Sequence, residues 1–146
     1  MTGMRDNKFI DTSVLVYAFD KADQKKHVIT TNLIEDILNK EGRVIVSNQV
    51  LLELYNVLTR FISKPLAVEE AKSIILDFFD SQNWIKLDYS TSTTKRAITI
   101  AADIKVAIWD VLIAETMRDN DIYVIVTENE KDFRRIPGII VENPFK

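Results

Sequence analysis

Tyr123-Val124-Ile125-Val126-Thr127-Glu128-Asn129-Glu130-Lys131-Asp132-Phe133 is the stretch that decides the fold. Its first four residues form an unbroken apolar run. A strand with one wet face alternates apolar and polar residues, because successive side chains point to opposite faces. A run without alternation is typical of a strand covered on both faces, as in parallel sheets flanked by helices. The polar residues from Thr127 onward then leave the carboxyl end of that strand.

Working outward, Ile139-Ile140-Val141 reads as the last strand, and Trp109 to Arg118 as a short helix with Leu112, Ile113 and Met117 inward. Thr93 to Asp103 predicts another helix, and Trp84 to Leu87 a strand. Ala71, Ile74, Ile75, Phe78 and Phe79 share one helix face, with Glu69 and Glu70 in the first turn where the helix dipole favours them. Ser63-Lys64-Pro65 breaks the preceding helix, whose stripe is Leu51, Leu54, Leu58 and Phe61 and whose cap is Ser47 or Asn48. Val44-Ile45-Val46 is a buried strand. Ile29, Leu33 and Ile37 recur at helical spacing before Gly42. Phe9-Ile10 and Val14-Leu15-Val16 read as a buried strand and its exit. Trp84, Trp109, Phe61, Phe78 and Phe79 are expected in the core, and His27 in a structural role. Strands alternate with helices throughout, which predicts an α/β domain with a central, mainly parallel sheet flanked by helices.

The chain has 146 residues, one domain by length, and we read 1–146 as a single unit with residues 1–8 a short polar extension. It has no Cys and one His, so disulfides, thiolate zinc sites and multi-histidine zinc sites are excluded. Three Gly leave no material for a glycine-rich phosphate loop. Any chemistry must come from carboxylates, Lys or hydroxyls. Net charge is −3, without the basic footprint of many nucleic-acid binders, although a cation held by acids restores positive charge locally. No apolar run approaches the ~20 residues of a membrane span, and the expected location is the cytoplasm.

In parallel sheets, sites form beyond the carboxyl ends of the strands. Four acids stand at such places or on apolar helix faces. Asp11 directly follows the first strand. Glu53 shares a helix flank with Val50 and Val57. Asp110 lies within Ala107-Ile108-Trp109-Asp110-Val111-Leu112-Ile113-Ala114 and shares a face with Ile113, Ala114 and Met117. The fourth comes from the segment after Val126, where Asp132 competes with Glu128 and Glu130. Singly, each also reads as a cap, an edge residue or a solvated loop acid. Together, carboxylates gathered at one sheet edge raise one another's pKa values. A hard divalent cation such as Mg²⁺ or Mn²⁺ relieves that repulsion and can assist phosphoryl displacement.

These residues carry a resemblance. Phe9 to Asp20, Ser47 to Leu54, Trp109 to Ile113, and Thr127, Asn129, Asp132 and Phe133, followed by Val141-Glu142-Asn143-Pro144-Phe145, are similar in order and spacing to the motifs of PIN-domain ribonucleases of the VapC toxin kind. The resemblance runs from Phe9 to Phe145. It implies a metal-dependent endoribonuclease with Asp11, Glu53, Asp110 and Asp132 as its acidic quartet. Asp11 and Asp110 would ligate Mg²⁺ or Mn²⁺, Asp132 would complete the site, and Glu53 would orient or deprotonate the attacking water. Thr12, Ser13, Thr127 and Asn129 would hold the carboxylates in place. Ser13 stands where the family often has Asn, and still supplies a hydrogen-bonding oxygen. The resemblance also implies a homodimer and a small antitoxin whose tail blocks the acidic pocket.

Lys105, Arg134 and Arg135 are the basic residues best placed along the chain to hold RNA, with Lys25, Lys26 and Arg60 farther out. Three rivals remain at this level. They are a non-catalytic binding module on the same fold, a metal-dependent DNA nuclease, and a phosphatase with Asp11 as nucleophile. Ser13 disfavours the last, since its Asp-x-Asp site needs an acid there.

Overall fold

The computed structural model describes residues 7–146. Their order is β1 (Asn7–Ile10), α1 (Thr12–Leu15), a 3-10 turn (Val16–Ala18), α2 (Gln24–Asn39), β2 (Arg43–Ser47), α3 (Asn48–Arg60), α4 (Val68–Asp80), β3 (Trp84–Leu87), α5 (Thr91–Ile104), α6 (Ile108–Asp119), β4 (Val124–Val126), α7 (Glu130–Phe133) and β5 (Ile140–Glu142). The five strands form one sheet in the order β3-β2-β1-β4-β5. Every pairing is parallel. The fold is thus α/β, with a wholly parallel sheet between helices.

β4 shows why the apolar run reads as it does: Val124, Ile125 and Val126 are all buried, with β1 on one side and β5 on the other. Phe9 and Ile10 of β1 and Val44 to Val46 of β2 are buried likewise. β1 already takes in Asn7 and Lys8, the last two residues of the expected polar extension 1–8; residues 1–6 lie outside the described region. Val14 and Leu15 are not extended but form the single turn of α1, which Asp11 caps through its side chain.

Helix ends follow their local chemistry. The Ser47 hydroxyl accepts from the Val50 amide and starts α3. Ser90 and Thr93 form a reciprocal capping box on α5. Lys105 ends α5 in the left-handed region, φ 58°. Between α3 and the sheet lie Val50, Leu51, Leu54 and Leu58.

Three aromatics depart from the expected core. Phe61 lies beyond the last turn of α3 and is 71% exposed; Phe79 is 46% exposed and Trp109 61%. The periodic face of α4 turns Ala71, Ile75 and Phe78 inward and carries Phe79 past its edge. Trp109 stands at the first turn of α6, where its side chain leaves the stripe made by Val111 to Ala114. Phe78 is buried as expected, with Phe19 and Trp84 edge-on to it at 6.0 and 4.7 Å. His27 is a structural residue: its Nδ1 pairs with the Tyr17 carbonyl at 2.7 Å.

Candidate active site

The chain builds β1, β2 and β3 outward in one direction, then crosses back to place β4 and β5 on the other side of β1. That reversal puts the carboxyl ends of β1 and β4 side by side, the position where such sheets leave a crevice. Asp11 follows β1 and Thr127 follows β4. The Asp11 amide donates to the Val126 carbonyl at 3.0 Å, so the two strands stay in register to the rim of the crevice.

Asp11 is 8% exposed and fully engaged. One oxygen accepts from the Thr12 amide at 2.9 Å; the other accepts from the Ser13 hydroxyl at 2.9 Å and the Thr127 hydroxyl at 2.7 Å. Ser13 Oγ in turn accepts from the Glu128 amide, and Thr127 Oγ1 from the Asn129 amide. Burial pushes the Asp11 carboxyl above its ordinary value, and these hydrogen bonds pull the other way. The Thr12 hydroxyl is buried with no hydrogen-bond partner among the described residues.

Asp110 enters from the first turn of α6, and Asp132 from α7. The Asn129 side-chain amide donates to both, at 2.9 and 3.3 Å. Burial, followed by the Asp132 carboxyl and the charge of Asp11, raises Asp110 from 3.8 to about 7. Glu53 enters from α3. Burial and then the charge of Asp11 raise it as well, while Gln49 Nε2, 3.4 Å away, lowers it. The same Gln49 nitrogen donates to the Trp109 carbonyl at 3.2 Å, tying α3 to the start of α6. Gln49 was not among the residues singled out from sequence, where an amide in a helix reads as ordinary polar surface.

The three acids after β4 separate. Glu128 pairs with Lys26 at 2.8 Å. Glu130 pairs with Lys146 and Arg134, and with the Asn143 amide these hold it down to about 2. Asp132 alone shares a donor with Asp110. Lys26 also lies over the rings of Tyr17 and Phe145. Of the basic candidates, Arg134 is thus occupied by Glu130, Arg135 donates to the Ile104 and Lys105 carbonyls that end α5, and the Lys105 side chain is exposed.

Among the described residues, no Lys or Arg forms an ion pair with Asp11, Glu53, Asp110 or Asp132. No group of three or more His, Cys, Asp or Glu side chains among them encloses a space suited to a metal ion. The arrangement instead offers Asp110 against Asp132, with the charge of Asp11 felt by both Asp110 and Glu53. That donor set suits a cation such as Mg²⁺, which binds through one or two carboxylates and keeps several waters.

The PIN-domain profile matches residues 8–139, and the chain belongs to the PIN-domain family. Its fold is similar over nearly its full length to VapC toxins of VapBC toxin–antitoxin complexes. VapBC2 from Rickettsia felis, solved bound to a promoter DNA fragment, shares 26% identity over 94% of this chain and 98% of its own, with a TM-score of 0.66. VapBC-1 from nontypeable Haemophilus influenzae shares 18% over 96% and 99%, TM-score 0.69. VapC20 of Mycobacterium tuberculosis, a toxin that cleaves the sarcin–ricin loop, shares 17% over 85% and 91%, TM-score 0.67. No curated protein matches the chain significantly. Among the described residues, no helix is long and apolar enough to cross a membrane.

Proposed function

We propose that this chain is a divalent-metal-dependent endoribonuclease, and that it acts in the cytoplasm as the homodimeric toxin of a toxin–antitoxin pair. The observation that carries the reading is Asp110. Its carboxyl is raised to about 7 by burial and by neighbouring acids, with no basic side chain among the described residues opposing them. Such a site gains stability by taking up a cation. Family membership and the VapBC likenesses support the same reading, including a small antitoxin as partner.

Asp11 and Asp110 would hold Mg²⁺ or Mn²⁺, with Asp132 beside them. The chemistry such an ion supplies when bound is acidification of a water and neutralisation of charge on phosphate oxygens. This chain's own residues do the rest. Thr127, Ser13 and the Thr12 amide keep both oxygens of Asp11 fixed. Asn129 keeps Asp110 and Asp132 together. Glu53, partly buried and raised, is suited to accept a proton from water at the phosphodiester.

The test compares wild type with Asp11→Asn. New RNA 5′ ends are mapped after brief expression in cells, and purified protein is incubated with total RNA in Mg²⁺, Mn²⁺ or chelator. Wild type generates new ends, and Asp11→Asn and chelated protein do not. Cleavage by Asp110→Asn at the wild-type rate and metal dependence would end the assignment. Stoichiometric Mn²⁺ binding with RNA left intact would move the protein to the non-catalytic module. Preferential cleavage of DNA would make it the DNA nuclease.

A further inference from the structure

Beside Glu53 lies an open cavity of about 560 Å³, lined among others by Leu52, Glu53, Asp88, Tyr89 and Trp109. A buried Trp removes a large apolar area from water. Trp109 instead leaves 61% of its surface in water, and Leu52 and Tyr89 on the same wall are exposed too. The backbone beneath Trp109 is nevertheless fixed. It lies in the first turn of α6, and its carbonyl is held by Gln49. Its neighbour in sequence is Asp110, and the cavity shares Glu53 with the acidic site.

We infer that Trp109 is a base-stacking residue: this wall is a subsite for one unpaired nucleobase of the strand whose phosphodiester is cleaved at the neighbouring acidic site. The inference rests on the nuclease reading and specifies how its substrate is held. The chemistry of the wall favours a base over an apolar protein side chain. The indole face is flat and aromatic, as base stacking needs. The rim, by contrast, is polar. Asp88 accepts from the Tyr89 amide with one oxygen, and its other oxygen has no protein partner among the described residues. An apolar occupant would dry that oxygen and Glu53 without replacing their hydrogen bonds. A base covers the indole with its face and offers N–H groups at its edge, for which a carboxylate is an acceptor. Acids along the rim repel a phosphate but not a neutral base, so the backbone is directed to the cation and the base to the wall. Only an unpaired nucleotide exposes such a face.

The experiment uses the full chain carrying Asp11→Asn, with a short mixed-sequence single-stranded RNA as probe, its fully paired duplex and an abasic version. Binding is read by anisotropy and by quenching of Trp emission. The single strand quenches; duplex and abasic strands bind about tenfold more weakly. Trp109→Leu, which keeps an apolar side chain, weakens single-strand binding about tenfold, whereas Trp109→Phe stays within about threefold. Equal binding by Trp109→Leu, or no saturable binding of the single strand, overturns the inference. So does a Trp109→Leu that loses self-association or binding of an antitoxin tail while RNA affinity stands, since the wall is then a protein interface. The two readings fail separately. RNA bound through Trp109 by a wild-type chain that never cleaves removes the nuclease and keeps the subsite. Cleavage with kcat/KM unchanged in Trp109→Leu removes the subsite and keeps the nuclease.

Discussion

Two carboxylates on α6, less than two turns apart, meet opposite fates. Glu115 is 1% exposed and lies between Arg96, 2.7 Å away on α5, and Arg118, 3.1 Å away on its own helix. Arg118 also donates to the Pro137 carbonyl, so the pair ties α5, α6 and the approach to β5 together. Asp110 is less buried, yet it faces Asp132, Asp11 and an amide, with no cationic side chain among the described residues paired to it. The helix therefore carries one acid whose charge the fold satisfies and one whose charge it leaves open. Burial alone does not separate the two; what makes Asp110 the candidate is burial without a basic partner among the described residues.

The comparison can be broken in three places. Glu115→Gln should have the largest effect. Breaking a buried pair costs several kcal/mol, and here about 3 kcal/mol because both guanidiniums reach solvent. Denaturant midpoints measure that loss, and cleavage per folded molecule should not change. A variant as stable as wild type would show that the arginines contribute nothing net. Asn129→Ala comes next. It removes the donor shared by Asp110 and Asp132 and should lower cation affinity about 10- to 100-fold, read by calorimetric Mn²⁺ titration. Unchanged affinity would mean the two acids need no amide between them.

Asp110→Asn has the smallest effect, and the opposite sign. The folded carboxyl titrates at about 7 against 3.8 when unperturbed, so between those values the folded state holds the extra proton. That stabilisation is complete below the unfolded value and is lost as pH rises through about 7. Metal-free wild type should thus lose Tm across this window, while Asp110→Asn stays flat. At neutral pH the variant should melt about 2–4 °C higher, the equivalent of about 1 kcal/mol for a chain of this size. Added Mg²⁺ should raise the wild type and not the variant. Parallel pH profiles for the two would show that the acids do not oppose one another.

The fold was legible because its decisive signals are local. Val124 to Val126 have no alternation, which is typical of a doubly covered strand. The placement of Asp11 and Asp110 after or within apolar segments was legible for the same reason. Choosing among Glu128, Glu130 and Asp132 was not, because that choice depends on Lys26, Lys146 and Arg134, two of them far along the chain or at its end. Glu115 was invisible because its main partner is 19 residues away on another helix. Trp109, Phe61 and Phe79 were misjudged because periodicity locates a face without saying what covers it, and helix ends carry side chains off the stripe.

The hydroxyl that holds Asp11 comes from Thr127, 116 residues later. β1 has only one of its two neighbours until β4 is made, and Asn129 and Asp132 follow β4. During synthesis Asp11 therefore waits for almost the whole chain before the Thr127 hydroxyl that holds it is made, and Asp132 comes later still. A polypeptide cut short between Leu87 and Thr127 has the sequence of its first three strands but lacks Thr127, Asn129 and Asp132. The order of the strands is thus also a timetable: the residues that hold Asp11 and Asp110 in place, Thr127 and Asn129, are among the last to be made.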